Sequence, residues 1–262
     1  MISRRAGGLS IGINLNPNNA CNWRCIYCQV PDLQRGSAPP VDLDLLEQEL
    51  RYLLVDVLQG TFYSRFNLRP QHRRIRDIAI SGNGEPTSAN MFDRVIELIG
   101  HITDELQLPG NIRPVLITNG SFMQRAVVQK GIQHLSELNG EIWFKLDSAT
   151  STGINTVNNT SISISRVRKN LEIAAKLCPT WIQTCVFGMD GEPPCEAEQK
   201  AYIQFLDSIL AQGIRLRGVL LYGIARPSRQ PETPRLSRLS GEWLEQYAQK
   251  ISKSGIKVKT SV

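Results

Sequence analysis

The chain has 262 residues, 41% hydrophobic and 21% charged, with a net charge of +6 and a pI of about 9.1. That composition supports a full hydrophobic core and excludes a disordered or fibrous chain, and the length suits one domain, up to a single α/β barrel of about 250 residues. The N-terminus MISRRAGGLSIGINLN has no apolar stretch of signal-peptide length, and no apolar run approaches the ~18 residues of a membrane span, so a cytoplasmic protein without membrane contact is expected.

Residues 11–16 alternate apolar and polar side chains and read as a first strand. Two prolines precede residues 42–58, where Leu43, Leu46, Leu50, Leu53 and Val57 mark one helical face. Residues 76–82 (RDIAISG) form the second strand, and residues 90–106 a helix with Phe92, Val95, Ile96 and Ile99 inward. Residues 114–120 (PVLITNG) form the third strand, after which Ser121 is placed to cap a helix that stops near Gly131. A strand at 141–147, a helix at 163–178, a strand at 181–188, a helix at 195–212 and a sixth strand at 216–224 follow. Beyond a Pro-rich tail, a helix over 241–253 turns Leu244, Tyr247, Ala248 and Ile251 inward, and a short strand closes the chain at 256–259.

Strands alternating with helices imply a parallel sheet with helices packed outside it. The expected fold is α/β: a single-domain, partial (β/α)6 barrel. Residues 1–225 form its core and residues 226–262 an extension packed on the barrel. In such folds the chemistry gathers at the C-terminal ends of the strands.

The loop over 17–36, after the first strand, contains NNACNWRCIYC. Cys21, Cys25 and Cys28 are spaced Cys-x3-Cys-x2-Cys, and thiolates are soft ligands for zinc or iron–sulfur clusters. A structural zinc takes four ligands, yet no Cys or His lies between Cys28 and His72. The triplet therefore suits a [4Fe–4S] cube with one iron open to a small molecule better than a closed zinc site. The rival of another class is a non-catalytic iron–sulfur or zinc module for electron transfer or structure.

The second strand runs into SGNGEPT, where Gly82 and Gly84 let backbone approach a ligand and Glu85 brings an anion for which an ammonium is the natural partner. The third strand ends in Thr118 and Asn119. Alternation along the fourth puts Trp143, Lys145 and Asp147 on one face and Ile142, Phe144 and Leu146 on the other. Lys145 and Asp147 then point into the barrel, as a functional pair or as charges that hold it together. Gln183 and Cys185 share a face of the fifth strand, and Asn14 and Asn16 a face of the first. Cys178, Cys185 and Cys195 read as core packing rather than a second cluster.

CNWRCIYC, followed in order by SGNGEPT, LITNG, FKLDS and YGIARPS, resembles the radical S-adenosylmethionine (radical SAM) superfamily. Within it the chain looks most like iron–sulfur oxidoreductases related to the tRNA wyosine-synthesising enzymes. The resemblance implies a [4Fe–4S] cluster on Cys21, Cys25 and Cys28, with S-adenosylmethionine (SAM) chelated to the open iron. It puts Tyr27 and Ile224 near the adenine. Gly82, Asn83, Gly84 and Glu85 fall at the methionine amino group, Asn83 standing where the family has glycine. Thr118, Asn119, Lys145 and Asp147 become further contacts to SAM, Lys145 and Asp147 also to substrate.

The implied reaction is reductive cleavage of SAM to a 5′-deoxyadenosyl radical that abstracts hydrogen from an unnamed substrate, RNA being one candidate. The alternative is an activase that installs a radical on a partner protein. Either needs an electron donor such as flavodoxin or ferredoxin. Two basic segments, Arg69, Arg73, Arg74 and Arg76, and Arg226, Arg229, Arg235 and Arg238, are candidate surfaces for RNA or an acidic donor.

Overall fold

Alternation of apolar residues produces one curled sheet in the computed structural model, which describes residues 2–3 and 7–261. Its strands lie side by side in chain order: β1 (Ile2–Ser3), β2 (Gly8–Asn14), β3 (Ile75–Ser81), β4 (Arg113–Thr118), β5 (Glu141–Lys145), β6 (Thr180–Val186), β7 (Gly218–Gly223) and β8 (Val258–Ser261). β1 pairs antiparallel with β2, and every other neighbouring pair is parallel. The sheet is a partial barrel, with its helices outside. They are α1 (Leu43–Leu58), α2 (Thr61–Arg65), α3 (Phe92–Glu105), α4 (Ala126–Glu137), α5 (Ser151–Asn158), α6 (Ile164–Leu177), α7 (Glu196–Ala211) and α8 (Gly241–Ser252). None of the described helices is long and apolar enough to cross a membrane.

Apolar residues pack on both faces of this sheet, as parallel strands require. β6 is buried at every position. On the outer face Ile78, Ile80, Leu116, Ile142, Phe144, Ile182 and Leu221 join the helices in the main core. On the inner face Val115, Trp143, Trp181 and Leu220 form a separate apolar floor to the lumen. The register that aligns Trp143 with Trp181 also aligns Lys145 with Gln183, so the layer above the floor is polar. Strand alternation thus assigns Trp143 and Phe144 to opposite faces as the sequence suggests.

Local chemistry sets the helix starts. Asp42, Thr150, Ser163 and Ser240 cap α1, α5, α6 and α8 through their side chains. The expected cap at Ser121 and stop at Gly131 are not formed. α4 begins at Ala126, without a side-chain cap, and runs through Gly131 to Glu137. Gly131 is instead where α4 crosses α3, and a Cβ there would lie 2.6 Å from the Phe92 ring. The sequence reading also missed α2, α5 and β1, whose short spans carry little periodicity. β8 hydrogen-bonds alongside β7, so the chain end extends the sheet.

Candidate functional site

The loop after β2 and the turn after β3 meet at the C-terminal ends of the strands. Gly82 has φ 148°, and a Cβ there would stand 2.2 Å from Asn14 Oδ1; one on Gly84 would stand 2.0 Å from the Ala20 carbonyl oxygen. These glycines are needed so that the turn can close on the protein's own β2 end and cysteine loop. Asn14 Oδ1 accepts the backbone N–H groups of Asn16 and Asn83, each at 3.0 Å, which locks loop and turn together.

Between them lies a cavity of about 150 Å³. Its wall holds Cys21, Cys25 and Cys28 with Tyr27, Gly82, Asn83, Gly84, Glu85, Asn119 and Lys145, and also Trp23, Val30, Leu33, Ser81 and Ile117. Among the described residues no three Cys, His, Asp or Glu side chains already stand at metal-binding separations. The three thiols share a wall instead of converging. Burial pushes the Cys21 thiol up to about 12, against the Trp23 N–H that points at its sulfur. It pushes Cys25 up to about 11, although the Lys145 ammonium and Asn158 Nδ2, 3.3 Å from the sulfur, favour the thiolate.

Glu85 is 2% exposed, and its carboxylate is engaged inside the protein. Oε1 accepts from the Thr87 N–H and hydroxyl and from the Thr118 hydroxyl at 2.6 Å, and Oε2 accepts from the Asn119 N–H at 2.6 Å. Burial still raises its pKa above the ordinary carboxylate value, against the pull of these donors. Thr118 therefore sits behind Glu85 rather than on the cavity wall, while Asn119 Nδ2 donates to Asn22 Oδ1 at 2.9 Å.

Asp147 and Ile224 meet Tyr27 or the group around it without lining this cavity. Asp147 accepts the Tyr27 hydroxyl at 2.6 Å, Asn158 Nδ2 at 2.7 Å and the Cys185 N–H at 2.9 Å. Ile224 packs on the buried group formed by Ile26, Tyr27, Cys185 and Phe187. The Lys145 ammonium lies 4.9 Å from the Tyr27 ring centroid. Burial opposes its charge, but the groups around it, Tyr222 and Asp147 foremost, more than offset this and hold it protonated.

Sequence reasoning missed Asn158, the α5 residue that touches both Cys25 and Asp147. It also missed a strap that binds the cysteine loop from outside. Ser228 Oγ lies 2.7 Å from the Ile26 carbonyl and 3.0 Å from that of Cys28, and the Arg229 N–H donates to the latter at 2.8 Å. Gln230 Nε2 donates to the Val30 carbonyl, and Arg24 forms a bidentate pair with Glu232 at 2.9 and 2.6 Å. Of the two basic segments, Arg73, Arg76 and Arg238 donate to backbone carbonyls and Arg235 forms a bidentate pair with Asp190. Cys178 and Cys185 are buried as core residues, but Cys195, expected to be core as well, is exposed at the start of α7.

Residues 15–201 match the Radical SAM superfamily, and the chain belongs to that family. That family is one of iron–sulfur enzymes whose cofactors are a [4Fe–4S] cluster and SAM. The fold is similar to that of TYW1 with a lysine-pyruvate adduct bound (TM-score 0.61, 11% identity, 95% of this chain and 74% of that one). It is also similar to a cysteine-to-serine mutant of spore photoproduct lyase (TM-score 0.59, 13% identity, 100% and 79%), and to Streptococcus suis SuiB bound to S-adenosylmethionine (0.58, 11%, 97% and 47%). Over 125 residues the chain is 30% identical to GTPase Obg of Brachyspira hyodysenteriae, which is 48% of this chain and 15% of that protein.

Proposed function

We propose that Cys21, Cys25 and Cys28 hold the [4Fe–4S] cluster, and that SAM occupies the space bounded by the Gly82-Asn83-Gly84-Glu85 turn, Tyr27, Asn119 and Lys145, with Asp147 and Ile224 supporting it through Tyr27. When bound, these groups supply a 5′-deoxyadenosyl radical for hydrogen abstraction. The observation that carries the reading is the shared wall: all three thiols and the turn open on one cavity at the strand ends. The donor set fits a cluster. Desolvated thiols become thiolates only against a positive partner, which iron provides.

The remaining residues position and exclude. Trp23 and Tyr27 are buried and keep water from the thiols. Lys145 contributes a fixed cation beside Cys25, suited to a ligand carboxylate. Glu85 spends its carboxylate on four donors, about the number such a group accepts. It acts as a positioning residue for Thr118 and Asn119, and the turn offers a ligand its backbone. Reduction requires a donor such as flavodoxin or ferredoxin. Exposed Arg226 and Arg229 flank the strap over the cysteine loop and suit an acidic donor, or an RNA substrate competing for the same charges. Six free thiols fit a reducing, cytoplasmic setting.

Anaerobic reconstitution tests the reading. Wild type should take up a [4Fe–4S] cluster with broad visible absorbance and release 5′-deoxyadenosine from SAM under strong reductant. Cys21→Ala, Cys25→Ala and Cys28→Ala should each lose the iron, whereas Cys178→Ala and Cys195→Ala should keep most of it. Zinc as the only metal in oxygen-free protein would refute the assignment.

A further inference from the structure

A second, larger cavity of about 450 Å³ shares only Asp147 with the assignment above. It lies between α5, the end of β6, the loop that follows, and the start of α7. Its size is within the range of small-molecule pockets, about 300–1,000 Å³.

Its inner end is formed by Asp147 and Cys185. Both meet Tyr27: Asp147 accepts the Tyr27 hydroxyl at 2.6 Å, and Cys185 packs in one buried group with Tyr27 and Phe187. Phe187 lines the pocket, and its ring centroid stands 5.7 Å from that of Tyr27. A molecule seated there is therefore one aromatic layer away from the cavity lined by the cysteines.

The chemistry of the wall is one-sided. Val157, Phe187, Met189 and Tyr202 give it an apolar body. Its charged groups are Asp147, Asp190, Glu192 and Glu198, with no Lys or Arg among the lining residues. Arg235 pairs with Asp190, and Lys145 stands beside Asp147. Among the described residues no basic side chain forms an ion pair with Glu192 or Glu198. The latter accepts the hydroxyls of Ser148 and Thr150, which orient it. Such a wall attracts a cation and repels a phosphate or carboxylate.

We propose that this pocket binds a small molecule with an apolar body and a protonated amine. Both the site and its ligand class rest on the pocket alone, not on the cluster and SAM assignment above. Phosphate-bearing ligands are excluded from this pocket by its charge, whatever binds the arginines elsewhere.

Ligand-observed NMR on anaerobically reconstituted wild type would test this with three probes: phenethylamine, phenylacetate and uridine monophosphate. The amine should bind more tightly than either anion. Thr156→Trp, on the exposed α5 face that lines the pocket, should fill it and weaken the amine by more than about tenfold. Glu192→Lys, at the exposed rim, should weaken it by about threefold. Thr152→Trp, one turn earlier on the same face, replaces Thr156→Trp if the latter lowers the thermal midpoint.

Equal or tighter binding of phenylacetate or the nucleotide would overturn the proposal. So would amine binding unchanged by the tryptophan, or displacement of the amine by SAM. Iron content and 5′-deoxyadenosine release are recorded on the same wild-type preparation. Probe binding that fails while both are present defeats the pocket alone, whereas their absence defeats the cluster and SAM assignment and leaves the pocket standing.

Discussion

The floor and the mouth of the lumen are built by the same strands and are put to opposite uses. Along β5 and just past its end the inward residues are Trp143, Lys145 and Asp147, and along β6 they are Trp181, Gln183 and Cys185. At the floor the indole N–H groups of Trp143 and Trp181 donate to the two oxygens of Glu141 at 2.8 and 3.1 Å, and the Lys259 ammonium lies 4.4 Å from the Trp181 ring centroid. Polarity there is paired off within the protein and serves packing. At the mouth Lys145, the cysteines and the Gly82–Glu85 turn line an open cavity. One step along a strand changes the task because the helices close over the outer face everywhere, while the inner face is sealed only at the N-terminal end.

The comparison breaks hardest at the floor. Trp143→Ala should cost about 3–5 kcal/mol in denaturant unfolding, through lost packing and a cavity, yet leave iron uptake by the surviving folded protein intact. A variant of wild-type stability that lost its iron would place Trp143 with the mouth.

Glu85→Ala should come next, at about 2–4 kcal/mol, because it orphans donors on Thr87, Thr118 and Asn119. The same residue gives a pH test. Burial holds its folded pKa above the ordinary 4.5, so over that interval the folded protein keeps a proton that the unfolded chain has released. Its contribution to stability must then fall as pH rises from 4.5 through the raised value, and the loss is complete above it. The difference in unfolding free energy between wild type and Glu85→Gln should slope downward across this window. A difference that climbs with pH would mean the hydrogen bonds outweigh burial.

Gln183 sharpens the boundary between the two ends. It is fully buried, aligned with Lys145, and neither its Oε1 nor its Nε2 has a hydrogen-bond partner among the described residues. Gln183→Met should raise stability by about 1–2 kcal/mol, since it removes unsatisfied polar atoms at similar volume. Weaker SAM binding in this variant, with no gain in thermal midpoint, would move Gln183 to the functional side.

The smallest effect belongs to the strap. Arg24→Gln breaks a part-exposed ion pair with Glu232 and should cost no more than about 1 kcal/mol. Hydrogen exchange should nonetheless quicken at the amides of Ile26 and Cys28, with little change at Ile142. Uniform change in both places would show the strap to be ordinary surface.

Much of this could be read before any coordinates. Alternation in RDIAISG and EIWFKLD places Ile78, Ile80 and Phe144 against helices and Lys145 in the lumen, because a side-chain period is a local property of the chain. Cys21, Cys25 and Cys28, and likewise Gly82 to Glu85, are contiguous motifs whose chemistry travels with their spacing. Gly131 misled the reading, since a glycine that admits the Phe92 ring of a crossing helix looks the same in sequence as one that ends a helix.

By itself, then, the sequence determined the α/β class, the strand order of chemistry, the thiol triplet and the faces of the strands. These follow from periods and spacings a few residues long. Only the tertiary structure decided that Glu85 turns its carboxylate to Thr118 and Asn119, that Asn158 reaches both Cys25 and Asp147, and that Arg24 finds Glu232 across 208 positions of chain. It alone opened the pocket behind Tyr27. Such contacts depend on how separate loops are brought together at the strand ends. A buried polar group takes whichever partner that closure puts within reach, and no local pattern encodes which one it will be.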